Sequence, residues 1–258
     1  MTTLITGASS GIGEALAVEC ARRGESLYIC GRNEERLAAV AEKCAALAAA
    51  NAFVKAKRLD VTDEAAVKEW FAECEAFSPV ERVFSNAGVS TGEETEENVR
   101  TTFAVNVNGN LNVVLAAIET FRARRSGGQI LITASIAGYG PLPSCPSYSA
   151  TKSCMKTWAL SLRGMLAREG INVSAICPGF VRSRITDMNT CPMPFFMEAD
   201  RAARIILSRA DRNIGLIAFP WPMRLATWAF ASIPYSLAEI FGRFLPKKVS
   251  RRDRQRGG

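Results

Sequence analysis

Residues 2–24 read as strand, glycine loop and helix in immediate succession. The run TTLIT ends at Gly7, GASSGIG follows, and an amphipathic pattern continues through Arg23 until Gly24 stops it. A strand that passes through glycines straight into a helix is the opening unit of a parallel sheet, whose strands need helical crossovers. Gly7, Gly11 and Gly13 let the backbone turn tightly and approach a ligand closely. The free amides and positive dipole end of the following helix favour a diphosphate there.

The rest of the chain alternates in the same way. Strand SLYIC is followed by a helix over 33–50, a strand over about 52–58 and a helix over 63–77. Strand VERVFS then runs into the small-residue turn Asn86-Ala87-Gly88, and one long helix is expected over about 97–123. Strand GQILITAS delivers Ser135 at its carboxyl end, where ligands bind in open parallel sheets. A helix over 147–169, the strand INVSAIC ending in Pro178-Gly179, and a last strand NIGLIAF complete the series. Within the long helix, Asn106 is polar in an apolar run, which fits a structural hydrogen-bond network or a functional role. Leu59-Asp60-Val61 stands where a strand end reaches an adenine, although Asp60 equally suits a helix N-cap. Residues 180–200 form a Met-, Pro- and Phe-rich stretch too long for an ordinary connection, as expected of a lid.

The second strand ends where such a fold selects its dinucleotide. An acidic residue there binds the ribose 2′-hydroxyl of NAD, whereas an arginine accommodates the 2′-phosphate of NADP. Gly31 takes the place expected for the acid, Arg32 comes next, and Arg36 follows one helical turn later. Both the missing acid and the added base point to NADP.

Proton transfer has few candidates, because the chain contains no histidine. Tyr148 and Lys152 are four apart and share one helix face. A phenol titrates near 10, and a neighbouring ammonium is expected to draw that value down, which suits Tyr148 to general acid and base work.

The ordered set TGASSGIG (6–13), NAG (86–88), Asn106, Ser135, YSATK (148–152) and PG (178–179) resembles the short-chain dehydrogenase/reductase family over about residues 2–220. The resemblance implies an α/β fold, a Rossmann-like doubly wound parallel sheet of about seven strands, assembled as a homodimer or homotetramer. It implies that Tyr148 is the acid/base, that Lys152 lowers its pKa and holds the nicotinamide ribose, and that Ser135 orients a substrate carbonyl. Asn106 would hold a water that relays protons to Lys152. Gly7, Ser9, Gly11, Ile12 and Gly13 would line the diphosphate, Asp60 and Val61 the adenine, and Asn86 the adjoining ribose, with Pro178 and Gly179 completing the cofactor site. Ser183 stands where the family often has a threonine. The implied activity is NADP(H)-dependent hydride transfer between a nicotinamide and a carbonyl or secondary alcohol. The rival reading is a non-catalytic NADP-binding sensor or assembly protein of the same fold.

Composition narrows the alternatives. The 258 residues suffice for one large α/β domain, and nothing in the first 210 resembles a linker. Eight cysteines without C-x-x-C spacing, in a chain lacking histidine, read as reduced, mostly buried thiols and not as a zinc site. A strand beginning directly after Met1 leaves no room for a signal peptide, so a cytoplasmic location is expected. The net charge of +7 gathers near the C-terminus and not along a recognition helix, which argues against a nucleic-acid partner.

The apolar residues Leu142, Pro143, Cys145, Met188, Met193, Phe195 and Phe196 are expected to line or cover the cleft, favouring a lipophilic substrate, or else simply to pack on the domain. The catalytic domain is expected to end near residue 220. Residues 221–258 then form a C-terminal amphipathic helical extension with a basic tail. Trp221, Trp228, Phe230, Tyr235, Phe241 and Phe244 precede Lys247, Lys248, Arg251, Arg252, Arg254 and Arg256. The uncharged run is too short to span a bilayer. It suits peripheral contact with the cytoplasmic membrane face, or else a subunit interface or a cover for the cleft.

Overall fold

The structure, a computed structural model, describes residues 1–187 and 192–233. Its strands are β1 (Thr2–Thr6), β2 (Ser26–Gly31), β3 (Val54–Arg58), β4 (Arg82–Ser85), β5 (Gly128–Thr133), β6 (Ile171–Pro178) and β7 (Leu216–Phe219). All pair in parallel in one sheet, in the order β3-β2-β1-β4-β5-β6-β7. The helices are α1 (Gly11–Arg22), α2 (Glu34–Ala45), α3 (Glu64–Phe77), α4 (Glu96–Phe103), α5 (Asn110–Arg124), α6 (Pro146–Leu166), α7 (Arg184–Asp187), α8 (Ala199–Ala210) and α9 (Trp221–Ser232). The expected Rossmann-like doubly wound sheet is thus present.

Alternation along each central strand divides the core. Leu4, Val83, Ile130, Ile132, Ala175 and Cys177 face the layer holding α3, α5 and α6. Ile5, Phe84, Leu131, Ile176 and Ile217 face the layer holding α1, α2 and α8. Parallel sheets need both faces covered, and each large apolar side chain buried this way contributes about 1.5–3 kcal/mol. Edge strand β3 carries Lys55, Lys57 and Arg58, charges that discourage pairing with another sheet.

Two expected helices differ. Helix α2 stops at Ala45 and not at residue 50, because Cys44 is its last buried side chain and the alanines beyond it have no core to pack on. The long helix expected over 97–123 is α4 and α5 joined by a π-helical segment, Ala104–Gly109. Gly109 permits the close approach there, since a Cβ on it would lie 2.6 Å from the Val61 side chain.

Cys20, Cys30, Cys44, Cys74 and Cys177 are buried, and burial pushes each of their thiols up. Cys154, on α6, is exposed, while Cys191 lies outside the described residues. Helix α9 packs through Met223 against the core beside Gly179. The remainder of the C-terminal extension, residues 234–258, lies outside the described residues, as does Met188. Among the described residues, no helix is long and apolar enough to cross a membrane.

Candidate functional site

The sheet order reverses beside β1, where β2 lies on one side and β4 on the other. Loops leaving adjacent strands part at such a switch point and open a crevice. Here the crevice is a cleft of about 680 Å³. Gly7, Ser9, Gly11 and Ile12 line it from the β1 loop, Gly31, Arg32 and Arg36 from β2 and α2, and Leu59 and Val61 from beyond β3. Asn86, Ser135, Tyr148, Lys152, Pro178 and Gly179 complete the wall.

The β1 loop is shaped for close approach. Gly13 does not itself line the cleft; a Cβ there would lie 2.2 Å from the Gly7 carbonyl, so its absence lets α1 start against the loop. Ser10 is the N-cap of α1 but makes no side-chain capping bond, leaving first-turn amides for an anion. A Cβ on Gly31 would lie 3.0 Å from Ser9 Oγ, so an acidic side chain would crowd the loop at that point. Thr6 ties β1 to β4: its Oγ1 accepts from the amides of Asn86 (3.0 Å) and Ala87 (3.2 Å). Asn86 Oδ1 in turn accepts from Thr133 Oγ1 at 3.1 Å, linking the ends of β4 and β5. These features fit a dinucleotide with its diphosphate at the start of α1.

Ser135, Tyr148 and Lys152 come together at the carboxyl end of β5. Ser135 Oγ accepts from the Ala137 amide (3.1 Å), donates toward the Pro178 carbonyl (3.4 Å) and is hydrogen-bonded to Tyr148. Helix α6 begins at Pro146, and Glu94 reaches across to its first turn: Oε1 accepts from both the Ser147 amide (2.9 Å) and the Ser147 hydroxyl (2.8 Å). One turn beyond Tyr148, the buried Lys152 donates from Nζ to the Thr133 carbonyl at 2.8 Å.

The electrostatics correct one expectation. Burial pushes the Tyr148 phenol up to about 12, opposed in part by the Ser135 hydrogen bond. The net shift is upward although Lys152 lies near: its Nζ stands 5.7 Å from the centroid of the Tyr148 ring and is itself driven down to about 8 by burial. Desolvation is the larger effect on the phenol because it lies in a dry wall, where the lysine is held by the Thr133 carbonyl.

Asn106 is fully buried and outside the cleft. Its Oδ1 accepts from the Val89 amide (2.8 Å), and its Nδ2 donates to the Val89 carbonyl (2.9 Å) and toward Thr151 Oγ1 (3.2 Å). The structural-network reading describes this side chain. Asn110, unnoticed in the sequence, does similar work: Oδ1 accepts from Ser85 Oγ at 2.6 Å, while Nδ2 reaches the carbonyls of Ala87 and Asn106, each at 3.0 Å. Asp60 caps no helix, a role taken by Asp63; it accepts from the Thr62 amide (3.0 Å) and pairs with Arg32 (3.8 Å). Ser183 lines the cleft, whereas Leu142, Pro143, Cys145, Met193, Phe195 and Phe196 do not. The two ends of the supposed lid are joined, since Val181 pairs with Met197 and Arg182 with Glu198 at 2.8 Å.

A cleft at the reversal of a doubly wound sheet, with uncapped amides at its first helix, defines a Rossmann-like α/β protein of the dinucleotide-binding class. Residues 1–191 match the short chain dehydrogenase family, and the chain belongs to this family of oxidoreductases, which bind nicotinamide cofactors. It is similar to an uncharacterised oxidoreductase of Myxococcus xanthus, 33% identical over 249 residues that span 95% of this chain and 97% of that protein. Sulfoacetaldehyde reductase 2 of Chromohalobacter salexigens is 34% identical over 193 residues, 72% of this chain and 75% of that one. Among solved structures, a short-chain dehydrogenase from Sphingobium yanoikuyae in complex with NADPH aligns with a TM-score of 0.78 at 25% identity, covering 95% of this chain and 96% of that one. One from Burkholderia phymatum in complex with NAD aligns with a TM-score of 0.79 at 25% identity, covering 93% and 94%. Both dinucleotides occur among these neighbours, so the fold alone does not choose between them.

Proposed function

We propose that the chain is an NADP(H)-dependent reductase of carbonyl compounds, operating between a ketone or aldehyde and its alcohol. The observation that carries this reading is the meeting of Ser135, Tyr148 and Lys152 on one wall of the cleft, with Ser135 and Tyr148 hydrogen-bonded. Bound with its diphosphate at the start of α1, the nicotinamide dinucleotide supplies the hydride. The chain's own residues hold the substrate and manage the proton. Turning its one proton from the Pro178 carbonyl, Ser135 Oγ donates to the carbonyl oxygen and stabilises the charge that grows there. Tyr148 gives its hydroxyl proton to the same oxygen, leaving the alcohol. Lys152 Nζ, fixed by the Thr133 carbonyl, keeps a positive charge beside the phenolate that remains. Gly7, Ser9, Gly11 and Ile12 hold the diphosphate, Val61 the adenine, and Asn86 the adjoining ribose. The absence of an acid at Gly31 and the basic side chains at Arg32 and Arg36 support NADP over NAD. Oxidation of NADPH and of NADH with carbonyl compounds of graded chain length tests the activity. Dinucleotide binding without turnover on any of them would leave the non-catalytic reading in its place.

The substrate is proposed to carry an apolar portion and to be met at a membrane surface. Trp221, Leu225 and Trp228 lie at helical spacing on α9 and are 73%, 54% and 58% exposed, although Met223 of the same helix packs beside the cleft residue Gly179. No acidic residue interrupts α9, and residues 234–258 carry seven basic against two acidic side chains. Anionic lipid complements this apolar and basic combination. Full-length protein is expected to float with anionic vesicles at low salt and less at high salt. A W221S/L225S/W228S variant should stay in solution with unchanged circular dichroism. Flotation unaffected by the triple change would sink the assignment to α9, as would a change of oligomeric state in its place.

A further inference from the structure

Among the described residues, Arg36 is a half-buried cation with no carboxylate paired to it. It lies in the first turns of α2 and lines the cleft beside Gly31, Arg32 and Asn33. Its backbone amide donates to Asn33 Oδ1 at 2.9 Å, as helix capping requires. Its guanidinium is less well served: Nε is buried and meets no acceptor, and no carboxylate pairs with Arg36 among the described residues. Withdrawing a charged N–H from water without a replacement acceptor is unfavourable, so its persistence marks a place for an arriving anion.

Arg32 is placed differently. Its side chain is exposed, and NH1 stands 3.8 Å from Asp60 Oδ2, so part of its charge is already answered. The two arginines flank the carboxyl end of β2, beside the loop carrying Leu59 and Val61. In a doubly wound sheet the adenosine ribose lies at this strand end, and the anion that distinguishes one dinucleotide from the other is its 2′-phosphate.

We propose that Arg36, and not Arg32, is the principal receiver of the 2′-phosphate, and that Asp60 restrains the contribution of Arg32. The inference rests on the NADP reading above and refines it. A guanidinium in the cleft wall loses little further hydration when the phosphate arrives and gains the acceptor its Nε lacks. Arg32 must loosen its pair with Asp60 before it can do the same. The adjacency of Arg32 to the absent acid, the cue available in the sequence, therefore selects the less effective cation.

Calorimetric titration with adenosine 2′,5′-bisphosphate and with adenosine 5′-monophosphate tests this without any hydride transfer. The unmodified chain is expected to bind the bisphosphate about ten- to a hundredfold more tightly, the range for a charge-assisted hydrogen-bond set. In Arg36→Gln that preference should fall to within about threefold, with affinity for the monophosphate unchanged, which also shows that the site is intact. Arg32→Gln should keep most of the preference, and Asp60→Asn should increase it by freeing Arg32. If the unmodified chain discriminates and Arg36→Gln still does, the Arg36 assignment is overturned while the NADP reading stands. Loss of the preference in Arg32→Gln as complete as in Arg36→Gln also overturns it. If the unmodified chain does not discriminate at all, the NADP reading itself fails.

Discussion

Replacing Lys152 by methionine should remove a pH-dependent penalty from the folded state. The lysine pKa falls from 10.5 to about 8 on folding, chiefly through burial. Two and a half units correspond to about 3 kcal/mol by which folding disfavours the charged form below pH 8. The sign follows from proton counts: between the two values the unfolded chain binds more protons than the folded one, so this group's penalty shrinks as pH rises. From pH 7 to pH 9.5 the wild-type chain should gain about 2 kcal/mol from Lys152 alone, a gain absent in Lys152→Met. The buried thiols and Tyr148 also titrate in alkali, in the opposite direction, but they are common to both proteins and cancel in the difference. Urea denaturation followed by circular dichroism, with reductant and at a series of pH values, measures that difference. The loss of the hydrogen bond to the Thr133 carbonyl adds a constant offset and leaves the slope untouched. A gap between the two proteins that is flat across this range, or that slopes the other way, would refute the argument that Lys152 is desolvated.

Tyr148→Phe removes one hydroxyl and little volume, so turnover should fall at least about a hundredfold while dinucleotide affinity is kept. A variant retaining more than about a hundredth of the rate would show that the proton comes from elsewhere. Glu94→Ala deletes the carboxylate that accepts from the Ser147 amide in the first turn of α6, and should cost about 1 kcal/mol in urea denaturation together with a lower kcat. Glu94→Gln, which keeps an acceptor, should recover part of both, and unaltered stability in Glu94→Ala would mean that the cap does not form in solution.

Much of the fold was legible because its signals are local. Short β-branched and apolar runs in TTLIT, GQILIT and INVSAIC with helical periodicity between them set the parallel arrangement, and the glycines at 7, 11 and 13 marked the loop at its switch point. What escaped depends on partners far apart in the chain. Nothing near residue 104 announces that Asn106 will bond the Val89 backbone and Asn110 the Ala87 carbonyl, the contacts made where the helix widens into its π segment. The direction of the Tyr148 shift depends on how dry the wall becomes, which only packing decides. Glu94 meets Ser147 across 53 residues, a separation at which an acidic loop residue carries no signature of a cap.

The distribution of thiols makes α6 open to spectroscopy. Cys154 is exposed two residues after Lys152, about 200° around the helix from it, while Cys145 is buried and the five thiols pushed up by burial offer little thiolate to an alkylating reagent. Among the described residues, an environment-sensitive dye would therefore attach preferentially to the outer face of the helix whose inner face presents Tyr148 and Lys152 to the cleft. Its emission would register tilting of that helix as ligands enter, giving a binding signal independent of any change in nicotinamide absorbance.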